Sequence, residues 1–347
     1  MPINNKIKSI QPYKPADGGY KIRLDANESY ITPDDEILNK INDSVSAVPI
    51  NRYPDPNAVE LCKAFAEYYR INPEYVTAGN GSDELLFVIF TAFTQKGDTV
   101  VTLNPDFSMY KFYAHIAECR NIEIEKGQDL QINVDKLIDI CNTSNAKLLV
   151  FSNPCNPTSL ALEREKVIKI IQNVNALVVL DEAYMDFYDQ SLISSAHEYE
   201  NLILLRTCSK MMGLAALRAG FAVANKNLTE ALRKCKSPYN VNAYTQAAAA
   251  TVLRMRDYLD NCRRQIIDSK NFLYKQLTEI ASKTGWKVFD SKTNFVFLKP
   301  DNSAELFGFL CSQSILVRKI DKYLRITAGS RQENLAVIAA IKQYIGE

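Results

Sequence analysis

The chain has 347 residues, 47% hydrophobic and 23% charged, with a net charge of +1. This is material for about two domains and a sizeable core, with no basic excess for nucleic acid or an acidic membrane surface. No apolar run approaches the ~18 residues of a membrane span, and residues 1–10 lack the apolar centre of a signal peptide. Eight cysteines are scattered without a CxxC pair, and there are two histidines. No metal site and no disulfide framework is expected, and a reducing, cytoplasmic compartment fits.

In chain order, residues 1–45 read as an N-terminal arm punctuated by Pro12, Pro15, Gly18, Gly19 and Pro33, with one helical segment at 34–44. Residues 82–94 read as a helix that is apolar all round, from Leu85 to Phe93, and so buried under a sheet. Short apolar runs at 99–103, 147–152, 177–180, 202–205 and 220–224 lack polar alternation. That is the pattern of strands buried on both faces of a mostly parallel α/β sheet. Beyond Pro238 the character changes. Leu259, Cys262, Ile266, Leu273, Leu277 and Ile280 recur at helical steps through 256–283, and Gly285 ends the helix. Strands at 287–289, 295–298, 315–317 and 323–326 and a helix at 332–345 complete a small α+β domain. The expected division is 1–45 (arm and part of the small domain), 46–250 (large domain) and 251–347 (small domain), joined by the helix at about 255–284.

In an open α/β sheet, ligands bind beyond the carboxyl ends of the strands. There the chain carries Asn156, Asp181, Tyr184, Thr207, Ser209 and Lys210, with Arg218 close behind. Taken singly, Lys210 is a solvated lysine, Asp181 a helix cap and Asn156-Pro157 a turn. Together they place a carboxylate, a phenol, an amide and an amine at one cleft. Gly79-Asn80-Gly81-Ser82-Asp83-Glu84 opens a helix whose first N–H groups suit an anion, provided both carboxylates point away. An amine beside hydroxyls and a guanidinium is what a phosphate-bearing aldehyde needs. A carboxylate against a pyridine nitrogen completes an electron sink of the pyridoxal-phosphate kind.

With these segments in order, the sequence resembles the fold-type I pyridoxal-phosphate-dependent aminotransferases, and within them the histidinol-phosphate aminotransferase family. The similarity runs from Pro12-Tyr13 and Asp25-Ala26-Asn27, through Arg52-Tyr53-Pro54, to Leu324-Arg325-Ile326-Thr327 and Gly329–Asn334. The resemblance implies pyridoxal 5'-phosphate as cofactor and Lys210 as the Schiff-base lysine. It implies that Asp181 pairs with the pyridine nitrogen, that Tyr184 and Asn156 bind the ring oxygen, and that Phe107 stacks on the ring. It assigns the cofactor phosphate to Thr207, Ser209, Arg218 and the N–H groups of Ser82 and Asp83. Tyr53 matches the tyrosine that reaches a neighbouring subunit's phosphate, which implies a homodimer. Tyr13, Asn27, Arg318 and Arg325 fall at substrate-binding positions. The implied reaction exchanges an amino group between glutamate and a phosphorylated imidazole alcohol, in histidine biosynthesis.

Two departures stand out. Ser159 replaces the glycine usual after Asn-Pro-Thr, so a turn needing positive φ there would be strained or reshaped. The segment from Arg318 to Arg325 is short and would frame the substrate differently. Threonine-phosphate decarboxylases share most of the motifs, and 237–243 has something of their look. A broad aromatic aminotransferase is a further alternative. A non-catalytic ligand-sensing module of this fold would need a basic DNA-binding segment, which the N-terminus lacks.

Overall fold

The computed structural model describes residues 3–8, 10–12 and 18–347. Its strands, in chain order, are β1 (Ile22–Leu24), β2 (Val76–Asn80), β3 (Thr99–Asn104), β4 (Arg120–Glu125), β5 (Leu148–Ser152), β6 (Leu177–Asp181), β7 (Leu202–Thr207), β8 (Ala219–Ala224), β9 (Lys287–Val288), β10 (Phe295–Lys299), β11 (Ile315–Ile320) and β12 (Tyr323–Thr327). Every strand expected from the sequence is present. Three were not expected, and each lacks the apolar-run signal. β1 has three residues, β2 is Val-Thr-Ala-Gly-Asn, and β4 alternates polar and apolar residues at a sheet edge.

Seven strands form one sheet in the order β2-β8-β7-β6-β5-β3-β4. The five from β7 to β4 are mutually parallel. The run at 220–224, grouped by its apolar character with the parallel strands, lies in β8 and is antiparallel to both neighbours. The apolar runs explain the layering. Leu148, Val150, Val179, Ile203 and Leu205 face one cluster; Leu149, Phe151, Val178, Leu180, Leu202 and Leu204 face another. Alternate side chains of a strand point to opposite faces, so both faces are covered. Each buried Val or Leu contributes roughly 1.5–3 kcal/mol.

The helix Ser82–Phe93 packs Leu85, Leu86, Ile89 and Phe90 under the sheet, but Phe87 remains 45% exposed. The helix is therefore not buried all round; its Phe87 side looks to solvent. The helix Asp35–Ser46 is capped by Asp34 and lies against the helix Ala243–Leu253, beside the large sheet.

The second sheet has the order β1-β11-β12-β10-β9. The 29-residue helix Arg256–Thr284 belongs to both cores. Leu259 and Ile266 pack with the large sheet's cluster; Leu273, Leu277 and Ile280 pack with the small sheet's. Gly285 ends it with φ of +76°, a left-handed cap suited to glycine. No helix among the described residues is long and apolar enough to cross a membrane.

Candidate active site

Strand order reverses between β3 and β5, since β4 lies to one side of β3 and β5 to the other. Such a switch point opens a crevice at the carboxyl ends of the strands. Pro105-Asp106-Phe107 leaves β3 there, Asn153–Ser159 leaves β5, and Asp181 ends β6.

Asp181 is buried and held at both oxygens. Its Oδ2 accepts from the Tyr110 hydroxyl at 2.8 Å and its Oδ1 from the Ala183 N–H at 3.0 Å. Burial pushes its pKa up from 3.8 to about 6, against the Tyr110 and Ala183 hydrogen bonds that favour the ionised form. A cation brought against this carboxylate would relieve that cost. Tyr110 also meets Phe107 edge-on, with ring centroids 5.5 Å apart. Sequence reasoning missed Tyr110, because nothing in the sequence separates it from an ordinary core tyrosine.

The second part is a group of donors of the kind that suits an anion. Gly81 (φ +80°) precedes the helix Ser82–Phe93, and no side chain caps that helix. A Cβ on Gly220 would lie 2.2 Å from the Ser82 nitrogen, and one on Gly81 would lie 2.7 Å from Arg218 Nη2. Only glycines let β8, the helix start and the guanidinium close together here. Thr207 and Ser209 are buried beside this edge, joined hydroxyl to hydroxyl at 3.0 Å. Thr207 pairs with Gly220 in the β7–β8 ladder, which fixes its place. One expectation needs correction. Asp83 does not turn away; its Oδ2 lies 3.3 Å from Arg218 Nη2. Glu84 does turn back, accepting from the Asn80 N–H at 2.6 Å.

The third part joins the two sheets. Lys210 Nζ donates to the Ala26 carbonyl at 3.3 Å and lies 5.8 Å from the Tyr184 ring centroid. Asn27, buried at φ +55°, donates from Nδ2 to the Tyr184 hydroxyl at 2.8 Å and exchanges bonds with Thr327. Arg325 Nη1 donates to Asn156 Oδ1 at 2.6 Å, and Nη2 donates to the Asp25 carbonyl. Arg318 faces Arg325 in the β11–β12 pair. Tyr53 is 82% exposed and stacks on Tyr239 at 4.6 Å. Tyr13 lies outside the described residues.

A backbone anion cradle with two hydroxyls and a guanidinium, a buried carboxylate and a nearby amine form a set suited to a phosphorylated pyridine aldehyde. The donors are of the right kind at every position except Asp83, whose carboxylate must yield to an incoming phosphate. The fold and this donor set define a pyridoxal-phosphate enzyme of the fold-type I class. The family model for aminotransferases of class I and II matches residues 20–341. The chain belongs to that family, and its cofactor is pyridoxal 5'-phosphate.

Among its relatives is a histidinol-phosphate aminotransferase of Clostridium novyi, 41% identical over 341 residues, which cover 97% of this chain and 95% of that protein. A histidinol-phosphate aminotransferase of Sinorhizobium meliloti, solved in complex with pyridoxal-5'-phosphate, superimposes with a TM-score of 0.88 at 25% identity, covering 99% of this chain and 97% of that one. An L-threonine-O-3-phosphate decarboxylase of Porphyromonas gingivalis has the same fold, with a TM-score of 0.79 at 21% identity, covering 94% of this chain and 100% of that one.

Proposed function

We propose that this aminotransferase interconverts histidinol phosphate and 2-oxoglutarate with imidazole-acetol phosphate and glutamate. The Arg318–Arg325 opposition supports this most directly: the register sets both arginines on one face of the small sheet, and two such guanidiniums suit a phosphate on one substrate and a carboxylate on the other. The Clostridium novyi relative, matched over nearly its whole length, supports the same substrates.

In this reading Lys210 is the amine that joins the cofactor and afterwards carries the proton at the substrate's Cα. Bound pyridoxal phosphate supplies the electron sink for that carbon. Asp181 would favour a proton on the ring nitrogen, since burial leaves its carboxylate in want of a cationic partner. Asn156 and Tyr184 would donate to the ring oxygen. Their other capacity is already taken, since Asn156 Oδ1 accepts from Arg325 and the Tyr184 oxygen accepts from Asn27. What each has left to offer is a donor. Thr207, Ser209, Arg218 and the N–H groups of Ser82 and Asp83 would hold the phosphate, and Phe107 would cover the ring. Tyr13, Asn27, Arg318 and Arg325 form the substrate end. Tyr53 belongs to the site of a second copy, in a homodimer; its exposure and its stack on Tyr239 suit a side chain presented outward. The same reading places the enzyme in the cytoplasm and divides the chain near residues 45 and 250.

Purified holoprotein given glutamate should lose its visible absorbance. Imidazole-acetol phosphate should restore it with formation of histidinol phosphate. No restoration, or carbon dioxide release from threonine phosphate, would sink the substrate assignment. Lys210→Ala should slow transamination by at least about 10²–10⁴-fold; an unimpaired rate would overturn the site.

A further inference from the structure

A buried ionic cluster with no part in the chemistry above surrounds the turn that carries Tyr184. Register pairs Asp181 of β6 with Leu205 of β7, and the Glu182 N–H donates to the Leu205 carbonyl at 3.0 Å. Glu182 and Arg206 therefore follow side by side at the ends of the two strands. Leu205 packs in the cluster that holds Tyr110, the partner of Asp181, and Leu204 packs in the other. Successive side chains of a strand point to opposite faces, so Arg206 leaves the sheet on the face away from Tyr110. There its guanidinium carbon sits 4.8 Å from the Tyr69 ring centroid.

Arg206 is 3% exposed and Glu182 is fully buried. Arg206 Nη2 lies 3.2 Å from Glu182 Oε2 and donates to the Ser191 hydroxyl at 2.9 Å, while Nη1 donates to Asp186 Oδ1 at 2.9 Å. Glu182 and Asp186 stand two residues to either side of Tyr184, and one guanidinium grips both. The chain between them is a tight turn. The Met185 N–H donates to the Glu182 carbonyl at 3.0 Å and the Phe187 N–H to the Tyr184 carbonyl at 3.1 Å. A shift of either carboxylate is therefore passed to Tyr184. Arg206 Nε is buried without a hydrogen-bond partner. Desolvation largely offsets the attraction in such a cluster, so it adds little stability over apolar packing.

We propose, on the reading that Tyr184 donates to the cofactor's ring oxygen, that Arg206 is the positioning residue for that donor. Two anchors locate the tyrosine. Asn27 Nδ2 holds its hydroxyl at 2.8 Å, and Arg206 holds the turn that carries its backbone. Without the guanidinium, Glu182 and Asp186 lose their shared partner, the turn relaxes, and the hydroxyl leaves the ring oxygen. The turn itself stays attached. Arg263, of the helix Arg256–Thr284, donates to the Asp186 carbonyl and, at 2.8 Å, to Asp189 Oδ1. A hydroxyl on the ring oxygen draws that oxygen away from the proton it shares with the nitrogen contributed by Lys210. That proton then leaves at lower pH, and the visible absorbance of the holoprotein changes with it.

The test is a pH titration of holoprotein absorbance for the parent, Tyr184→Phe, Arg206→Met and the double variant. Tyr184→Phe should raise the midpoint by about one pH unit, the worth of a hydrogen bond to a charged oxygen. Arg206→Met should raise it by about half of that or more, and should add nothing when Tyr184 is already replaced. The rate at saturating glutamate should fall about tenfold in Arg206→Met, with the half-saturating concentration changed less than about twofold, since the guanidinium is spent on Glu182, Asp186 and Ser191. Should Arg206→Met fail to fold, Arg206→Lys, which keeps the charge but not the planar fork, decides by the same midpoint. A folded Arg206 variant with the parent's midpoint, or an equal shift with Tyr184 already replaced, overturns the proposal and leaves Tyr184 in the site. An unmoved midpoint in Tyr184→Phe removes the donor reading itself, and the role of Arg206 with it.

Discussion

Arg318 and Arg325 stand directly opposite one another across the antiparallel pair β11–β12. Their link is a two-residue turn, Asp321-Lys322, with Asp321 at φ +49°. This hairpin is the short segment noted in the sequence; it sets two like charges on one face of the small sheet. Arg325 is tied to Asn156 and to the Asp25 carbonyl. Facing like charges cost stability that an anion between them would recover.

Arg318→Gln should therefore separate binding from stability. The KM for the phosphorylated amine should rise about 10–100-fold, the worth of one charged hydrogen bond. The ligand-free protein should gain about 0.2–1 kcal/mol. Steady-state kinetics and urea unfolding read the two effects. Unchanged KM for the phosphorylated substrate would remove Arg318 from the site.

Asp181 makes cofactor-free stability depend on pH. Its folded pKa, about 6, lies above the usual 3.8. Its contribution is fully present below about pH 4 and is lost as pH rises through about 6, since the unfolded chain releases the proton first. The loss is about 3 kcal/mol at most. Asp181→Asn should therefore become progressively more stable than the parent between about pH 4 and pH 7 in the cofactor-free form. Denaturant unfolding at several pH values measures this, and a pH-independent difference would contradict it.

Gly220→Ala should damage the anion cradle. The new Cβ would meet backbone, the Ser82 nitrogen at 2.2 Å, and neither strand nor helix start can yield cheaply. We expect a loss of about 2 kcal/mol or more in stability. Cofactor affinity should weaken with it, as measured by equilibrium dialysis. Wild-type affinity in this variant would show that the helix start does not hold the phosphate.

Ser159 adopts the left-handed backbone that favours glycine, with φ of +64°, and is fully buried. The turn is thus strained rather than reshaped. In return the Ser159 hydroxyl reaches the Asp290 carbonyl at 2.8 Å, in the loop between β9 and β10. Ser159→Ala keeps the strain and loses the bond, so it should cost about 1 kcal/mol. Ser159→Gly loses the bond but relieves the strain of about 1–2 kcal/mol, and should be near neutral. Thermal unfolding should rank glycine above alanine; the reverse order would mean the turn is unstrained.

The sequence by itself determined the parallel sheet and the set of chemical groups at its edge. Unbroken Val/Leu runs have few solutions other than strands covered on both faces, and the residues that follow them in the chain must emerge at the same edge. That is why Asn156, Asp181, Thr207, Ser209 and Lys210 were legible without coordinates. Tertiary structure alone decided the pairings. Tyr110 on Asp181, Asn27 on Tyr184, Arg325 on Asn156 and Asp83 on Arg218 join residues 71, 157, 169 and 135 positions apart. Local periodicity carries no information over such separations. The polar edge strand β4 and the glycine-bearing β2 were hidden for a related reason: what makes them strands is the neighbour they pair with, not their own side chains.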